Sequence, residues 1–90
     1  MNIPRLDLKA AGLGWIDDPR EAVKATEIEW QDYLQVLIAY HEELEDLLVE
    51  CINAEDEEGN AKKVQAVMTR LERRLSAVQS LLSSFRAQHR

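Results

Sequence analysis

His41 stands beside a cluster of carboxylates near the middle of the chain. The acidic residues that follow it within five positions are Glu42, Glu43, Glu45 and Asp46. An imidazole beside carboxylates can bind a metal ion or transfer protons. Helical bundles that hold two metal ions place a Glu three residues before a His on two helices. Here an Ile stands three residues before His41 and an Arg three residues before His89. We therefore expect no metal, and we expect His41 to pair with Glu72 on a partly exposed flank.

The carboxylates themselves suggest a second chemistry. Residues 42–46, Glu-Glu-Leu-Glu-Asp, resemble part of the helical nucleotide pyrophosphohydrolases of the MazG type. Those all-α enzymes hold magnesium with a Glu-x-x-Glu pair on one helix and a Glu-x-x-Asp pair on the next. The resemblance implies that Glu42 with Glu45, or Glu43 with Asp46, would act as the magnesium ligands of the first helix. The second pair is missing, because Glu72 is the only acidic residue after residue 58. Magnesium catalysis needs carboxylates from more than one element, so we expect no enzymatic activity and no cofactor.

Other kinds of reactive site are not indicated by the sequence. It contains no Gly-rich phosphate loop and no G-x-S-x-G motif. The serines between residues 76 and 84 have no positioned base near them in the sequence. Cys51 is the single cysteine, which excludes a disulfide framework and a cysteine-based zinc site. We expect Cys51 to be a buried core residue.

The composition favours a single all-α domain over residues 1–90. Charged residues make up 31% of the chain and hydrophobic residues 46%, which is typical of a globular protein. The chain has only three Gly and two Pro, and they lie outside its long periodic runs. We therefore expect an antiparallel, coiled-coil-like hairpin of two helices, with a short N-terminal segment packed on it.

Residues 18–57 are predicted to form one long acidic helix. Asp18, Pro19 and Glu21 have the pattern of an N-cap, a first-turn proline and a capping box. Apolar and aromatic residues then recur at alternating steps of 3 and 4, as along one buried face of a helix. This first seam comprises Val23, Thr26, Trp30, Tyr33, Leu37, Tyr40, Leu44, Leu47, Cys51 and Ala54.

Residues 61–88 are predicted to form a second, basic helix after a turn at Gly59 and Asn60. Its seam comprises Ala61, Val64, Met68, Leu71, Leu75, Val78, Leu82, Phe85 and His89. If the two helices lie antiparallel, facing residues must have a constant sum of residue numbers. Eight seam pairs, from Ala54 with Ala61 to Trp30 with Phe85, all sum to 115. The two seams therefore predict one alignment of the hairpin.

Charged residues beside the seams support the same alignment. Residues 19–58 carry thirteen acidic and two basic side chains, whereas residues 61–90 carry seven basic side chains and Glu72. The alignment predicts three opposite-charge or His–carboxylate pairs: Glu27 with Arg86, His41 with Glu72, and Glu43 with Arg74. Such pairs set register and orientation in coiled coils, although each exposed pair contributes only about 0.2–1 kcal/mol.

Residues 1–17 are predicted to form a lid over part of the hairpin. The segment is apolar in part and is interrupted by Gly12 and Gly14. Trp15 has two interpretations, because a Trp can anchor a binding partner or cover the core of its own chain. The second interpretation is favoured here.

Two surfaces of the long helix are candidates for binding. Leu34, Ile38, Leu48 and Ile52 form an apolar stripe beside the seam, which a two-helix hairpin cannot bury alone. The lid, a different protein, or a second copy that completes a four-helix bundle could cover it. The acidic face with Glu42, Glu45 and Asp46 could instead imitate nucleic-acid phosphates and occupy a basic groove.

The expected function is therefore that of a non-enzymatic protein-binding module, such as an inhibitor, adaptor or chaperone-like partner. In general character the chain looks like small helical secretion chaperones or compact acidic inhibitors made by phages against host defence. We expect another protein, or a second copy in a homodimer, as partner, and neither direct nucleic-acid binding nor membrane association. The sequence begins without a signal-peptide pattern, so we expect a cytoplasmic location.

Overall fold

The computed structural model describes residues 2–55 and 59–88, and these residues form helices, turns and irregular segments without a strand. A 3₁₀ turn, Gly14–Asp17, leads into a short helix α1, Pro19–Lys24, which is followed by the long helices α2, Glu27–Asn53, and α3, Asn60–Gln88. The long helices pack side by side as an antiparallel hairpin. The molecule measures 51 × 25 × 16 Å along its principal axes. The predicted fold class is confirmed.

The core lies between the two predicted seams. Buried residues of α2 are Trp30, Tyr33, Leu37, Leu44 and Cys51, and those of α3 are Val64, Met68, Leu71, Val78 and Leu82. Four of these α2 residues have a buried α3 counterpart at a sum of 115: Tyr33 with Leu82, Leu37 with Val78, Leu44 with Leu71, and Cys51 with Val64. Both members of each of these pairs are less than 9% exposed. The paired burial matches the predicted alignment.

Two polar contacts between the helices test the alignment independently. His41 Nε2 lies 3.3 Å from Glu72 Oε1, and Arg86 Nε lies 3.8 Å from Glu27 Oε1. Both contacts were predicted from the facing positions. The predicted pairing of Arg74 with Glu43 is wrong, because Arg74 Nε instead donates a hydrogen bond of 2.9 Å to the Tyr33 hydroxyl. The Arg74 guanidinium also lies 5.5 Å from the centre of the Tyr33 ring, a position that gives a cation–π contact.

The prediction of one continuous helix from residue 18 is wrong at its beginning. The chain leaves the helical conformation at Ala25 and Thr26, where ψ is 140° and 165°. The long helix therefore starts nine residues later than the predicted helix, after a separate helix α1. Val23 consequently leaves the seam and is 86% exposed.

A capping box explains where α2 begins. The Thr26 hydroxyl accepts a hydrogen bond of 3.2 Å from Glu29 N, and Glu29 Oε1 accepts one of 3.3 Å from Thr26 N. This reciprocal arrangement satisfies two backbone N–H groups that have no partner inside the helix. The first cap also forms, since Asp18 Oδ1 accepts a 2.9 Å hydrogen bond from Arg20 N. The sequence thus contains two helix starts within nine residues.

Gly59 lies at the predicted turn between the long helices, whereas Asn60, also predicted in the turn, is the first residue of α3. α2 ends at Asn53, and Glu55 has a positive φ of 50°, which is not helical. The helix therefore ends before residue 57, where the prediction placed its end. Residues 56–58 lie outside the described residues. Gly59 has a φ of 73°, a left-handed conformation that glycine adopts without the steric cost of a Cβ atom. α3 begins at the next residue, within one position of its predicted start.

Replacing Leu44 by Ala should destabilise the hairpin strongly. Leu44 is 0% exposed, so the substitution leaves a cavity and should lower the free energy of unfolding by about 2–5 kcal/mol. Urea denaturation followed by far-UV circular dichroism measures this change. Leu81→Ala is the control. Leu81 is 36% exposed, so its truncation should lower the free energy of unfolding much less. Equal losses in the two variants would contradict the assignment of the core.

Candidate protein-binding surface

The N-terminal segment is anchored to the hairpin by an aromatic cluster. The Trp15 ring lies 5.0 Å from the Trp30 ring at an interplanar angle of 84°, and 6.5 Å from the Tyr33 ring. Edge-to-face pairs of this kind add about 0.5–1.5 kcal/mol beyond the area they bury. Leu13 beside them is 5% exposed. Trp15, a candidate for partner binding in the sequence, therefore packs against the core of its own chain.

A second anchor fixes the beginning of the segment. The Tyr40 hydroxyl donates a hydrogen bond of 2.7 Å to the Pro4 carbonyl oxygen. Burial raises the pKa of the Tyr40 hydroxyl above its ordinary value of 10.0, and the nearby Glu43 carboxylate adds to the rise. Both effects disfavour the phenolate, so the protonated hydroxyl remains the donor in this hydrogen bond.

Two grooves between the N-terminal segment and the long helices show which side of the hairpin the segment covers. Ile3 and Pro4 line one groove together with Tyr40 and Val67. Farther along, Leu13 and Trp15 line another groove with Glu29 and Val36. On a helix with 3.6 residues per turn, Val36 and Leu34 lie about 200° apart. The N-terminal segment thus follows one edge of the hairpin, and the predicted apolar stripe lies along the other.

We call that other edge the open flank and define it by Leu34, Ile38, His41, Glu45, Leu48 and Ile52. Leu34 and Leu48 are partly buried against the core, and Ile38 is also of intermediate exposure. Ile52 is 66% exposed. The flank has two apolar residues at each end and two polar residues in the middle, and it extends over most of α2. The lid, one of the candidates to cover this stripe, lies along the opposite edge instead.

His41 occupies the middle of the open flank. Its Nδ1 atom lies 2.8 Å from Glu45 Oε1 on the same helix, and its Nε2 atom lies 3.3 Å from Glu72 Oε1 on α3. The His41 side chain is 19% exposed, whereas the two carboxylates are more than half exposed. The imidazole therefore connects the two helices and places a polar layer between the two apolar halves of the flank.

The acidic face of α2 lies next to the open flank. Glu42, Glu45 and Asp46 are all exposed, as are Glu43 and Glu50. Of these five carboxylates, only Glu45 has an ion-pair contact within 4 Å to another described residue, which is His41. The basic residues of α3 neutralise this face little, since within residues 2–55 and 59–88 only Arg86 among them pairs with an acid of α2. The acidic face remains available to a positively charged surface.

The described side chains form no metal-binding arrangement. Within residues 2–55 and 59–88, no group of three or more His, Cys, Asp or Glu side chains is placed to hold a metal ion. None of the helices over the same residues is both long enough and apolar enough to cross a membrane. Glu42 and Glu45, which imitate half of a magnesium site in the sequence, lie exposed on one face of α2.

Comparison with models of protein families, with curated proteins and with solved structures found no match to this chain. Its function therefore has to be inferred from its own surfaces.

Replacing Tyr40 by Phe removes the hydroxyl that binds the Pro4 carbonyl oxygen, so it should weaken the attachment of the N-terminal segment. It should also change how the stability of the protein depends on pH. The raised pKa of Tyr40 means that the folded protein holds this proton more tightly than the unfolded chain does. The stability gained from this difference is present below pH 10.0 and is lost as the pH rises through the raised pKa. Wild type should therefore lose stability more steeply above pH 10.0 than Tyr40→Phe, which has no phenol at this position. Urea denaturation at a series of alkaline pH values, followed by tryptophan fluorescence, measures this, and identical pH profiles would contradict it.

Proposed function

We propose that this chain is a non-enzymatic protein-binding module of the cytoplasm that offers the open flank to a helix of its partner. It would act as an inhibitor, adaptor or chaperone-like protein. A partner helix with its own apolar stripe could pack along Leu34, Ile38, Leu48 and Ile52. Apolar anchors at such spacing are typical of helix-in-groove recognition.

The observation that supports this proposal is the unequal covering of the two edges of the hairpin. The chain uses its N-terminal segment, with Trp15 and the Tyr40–Pro4 hydrogen bond, to cover the edge beside Val36 and Val67. On the other edge Ile52 is 66% exposed, and the remaining apolar residues have the same intermediate exposure as Val36 and Val67. An exposed apolar strip next to polar residues is typical of a binding surface.

The arrangement of the acidic residues favours binding over catalysis. A catalytic centre needs acidic, basic or nucleophilic groups that converge on one point. Glu42, Glu45 and Asp46 lie exposed on one helix, and Glu72, the carboxylate from α3 in this region, contacts His41. A solution of the pure chain with magnesium and nucleoside triphosphates tests the pyrophosphohydrolase alternative directly, and we expect no hydrolysis.

A second candidate function uses the acidic face instead of the open flank. The exposed carboxylates on α2 that have no ion-pair partner among the described residues favour it. In this alternative the protein imitates nucleic-acid phosphates and inhibits a nucleic-acid-binding protein, as phage anti-defence proteins do. Such a complex would depend on charge, so its affinity would fall steeply as salt rises.

Ile38→Asp combined with Leu48→Asp should abolish partner capture while the helices remain folded. Two carboxylates on the open flank would have to be buried without partners, at a large cost in binding free energy. The tagged chain would be used to capture proteins from a lysate of the cells that produce it, with quantification by mass spectrometry at several salt concentrations.

Ile28→Asp provides the matched control, because Ile28 is 70% exposed on the same helix but lies away from the flank. We expect this variant to capture the same proteins as wild type. Far-UV circular dichroism should show equal helicity in wild type, in Ile28→Asp and in the double flank variant. If the flank variants capture normally while Glu42→Lys and Asp46→Lys together abolish capture, the open flank is not the binding surface and the acidic face is.

A further inference from the structure

We propose that the open flank accepts a helix from another protein whose apolar stripe is bordered by lysine or arginine residues. This inference rests on the proposed function, because it concerns the same surface, and it adds the chemistry of the partner. The most exposed apolar side chains of this edge lie among carboxylates of α2, and the basic residues of α3 lie mostly on other sides of the hairpin.

Two large apolar side chains are exposed near the C-terminal end of α2. Ile52 of the open flank is 66% exposed, and Val49, which precedes it by three residues, is 55% exposed. Val49 lies about 20° from Ile38 around the helix, so it widens the flank on its solvent side. Removing such side chains from water stabilises a complex by about 25 cal/mol for each Å² of apolar surface. This end of the flank therefore offers a partner an apolar contact.

Carboxylates of α2 surround this exposed pair. Glu42, Glu45 and Asp46 are exposed and lie within about 60° of Val49 around the helix, about 5–11 Å before it along the axis. α2 contains no Lys or Arg, so its last turn has no basic side chain to oppose the negative end of the helix dipole. A positively charged group beside Val49 would therefore interact favourably with several negative groups at once.

The face of α3 that adjoins the flank supplies little positive charge. Glu72 marks this face, because its carboxylate contacts His41. The exposed α3 residues within about 60° of Glu72 around the helix are Gln65, Thr69, Ser76, Gln79, Ser83, Arg86 and Ala87. Arg86 is the one charged residue among them, and it pairs with Glu27.

The other basic residues of α3 lie farther around the helix. Lys63, Arg70 and Arg74 are about 160–180° from Glu72, and Lys62 and Arg73 are about 80–100° from it. Arg74 contacts the Tyr33 hydroxyl. The edge of the hairpin that carries the open flank is therefore acidic, and its apolar residues are bordered by negative charge on α2.

This distribution of charge determines which occupant fits the flank. A second copy of the chain would bring the same carboxylates of α2 against this edge, and like charges would repel each other. A helix with an apolar stripe between basic residues would instead pack on Val49 and Ile52 and place its positive charges beside Glu42 and Asp46. Apolar anchors at helical spacing provide the contact, and complementary charges select this partner over others.

Three designed peptides of equal length test this partner chemistry. The first is an amphipathic helix with leucines at steps of 3 and 4 and with lysines beside them. In the second every lysine is replaced by glutamate, and in the third every leucine is replaced by alanine, which retains the propensity for a helix. Fluorescence anisotropy of the labelled peptides measures their affinities. The first peptide should bind at least about tenfold more tightly than either of the others, a difference of about 1.4 kcal/mol, and its affinity should fall as salt rises.

Two matched variants test whether the exposed apolar pair is the contact. Val49→Ser with Ile52→Ser should weaken binding of the first peptide about tenfold. Val23→Ser with Ile28→Ser should leave it unchanged, because these residues are 86% and 70% exposed but lie towards the other end of the hairpin. All four side chains are exposed, so far-UV circular dichroism should show equal helicity in both variants. Equal losses of affinity in the two variants would overturn the inference.

A second matched pair of variants tests the role of charge at this site. Glu42→Gln with Asp46→Asn should weaken binding of the first peptide and reduce its dependence on salt. Asp32→Asn with Glu50→Gln removes the same charge from exposed positions about 160° around α2 from the centre of the flank, so it should have a much smaller effect. Equal effects of the two variants would mean a general attraction to an acidic protein and would overturn the inference.

The remaining outcomes identify other occupants of the flank. Equal binding of the alanine peptide would mean that the acidic face acts alone, and equal binding of the glutamate peptide would mean that charge has no role. Light scattering that shows a dimer of the chain alone, which Val49→Ser with Ile52→Ser dissociates, would mean a second copy. Each of these results overturns the inference, as does a first peptide that fails to bind.

Capture of partners from a lysate tests the proposed function separately. If Ile38→Asp with Leu48→Asp loses capture while the three peptides bind alike or not at all, the proposed function stands and the chemistry assigned to the partner is wrong. If the same double variant captures its partners normally, the proposed function falls, whatever the peptides show.

Discussion

The alignment of α2 against α3 at a constant sum of 115 is the constraint on which the other features of this molecule depend. It buries Leu37, Leu44 and Cys51 against Val78, Leu71 and Val64. Since side chains three or four residues apart share a face of a helix, burial of the seam also determines which residues lie on either side of it. The two edges of the hairpin are therefore consequences of the core, and any function assigned to them depends on this alignment.

The two edges of the hairpin differ because the N-terminal segment covers only one of them. Trp15 packs edge-to-face against Trp30, and the Tyr40 hydroxyl binds Pro4, so the N-terminal segment is held along one side. On the opposite side, His41 bridges Glu45 and Glu72 between two apolar halves. This asymmetry is what makes the hairpin a candidate binding module.

Much of the hairpin could be predicted from the sequence, because long runs with steps of 3 and 4 leave few alternatives. The pairs His41 with Glu72 and Glu27 with Arg86 followed from the same alignment. The break before α2 was missed because the seam spacing continues through Thr26 without interruption. A local signal was present, since Thr26 and Glu29 form the Thr-x-x-Glu pattern of a capping box. Backbone hydrogen bonds at that point outweigh the periodicity of the side chains.

The path of the N-terminal segment could not be predicted, because its apolar residues fit either edge of the hairpin. The sequence identified Leu34, Ile38, Leu48 and Ile52 as a stripe, but it could not show that the segment would lie on the other side. Arg74 illustrates a similar limit. The alignment predicts Glu43 opposite Arg74, yet the Arg74 guanidinium contacts the Tyr33 hydroxyl and ring. Long, freely rotating side chains choose among several partners that spacing alone cannot rank.

The alignment itself can be measured most directly by nuclear Overhauser effects between methyl groups in a selectively labelled sample. The account predicts cross-peaks from Leu44 to Leu71 and from Leu37 to Val78. Cross-peaks from Leu44 to Val64 or Val78 would show a hairpin displaced by one heptad and would contradict the account. The absence of any cross-peak between α2 and α3 would contradict it as well.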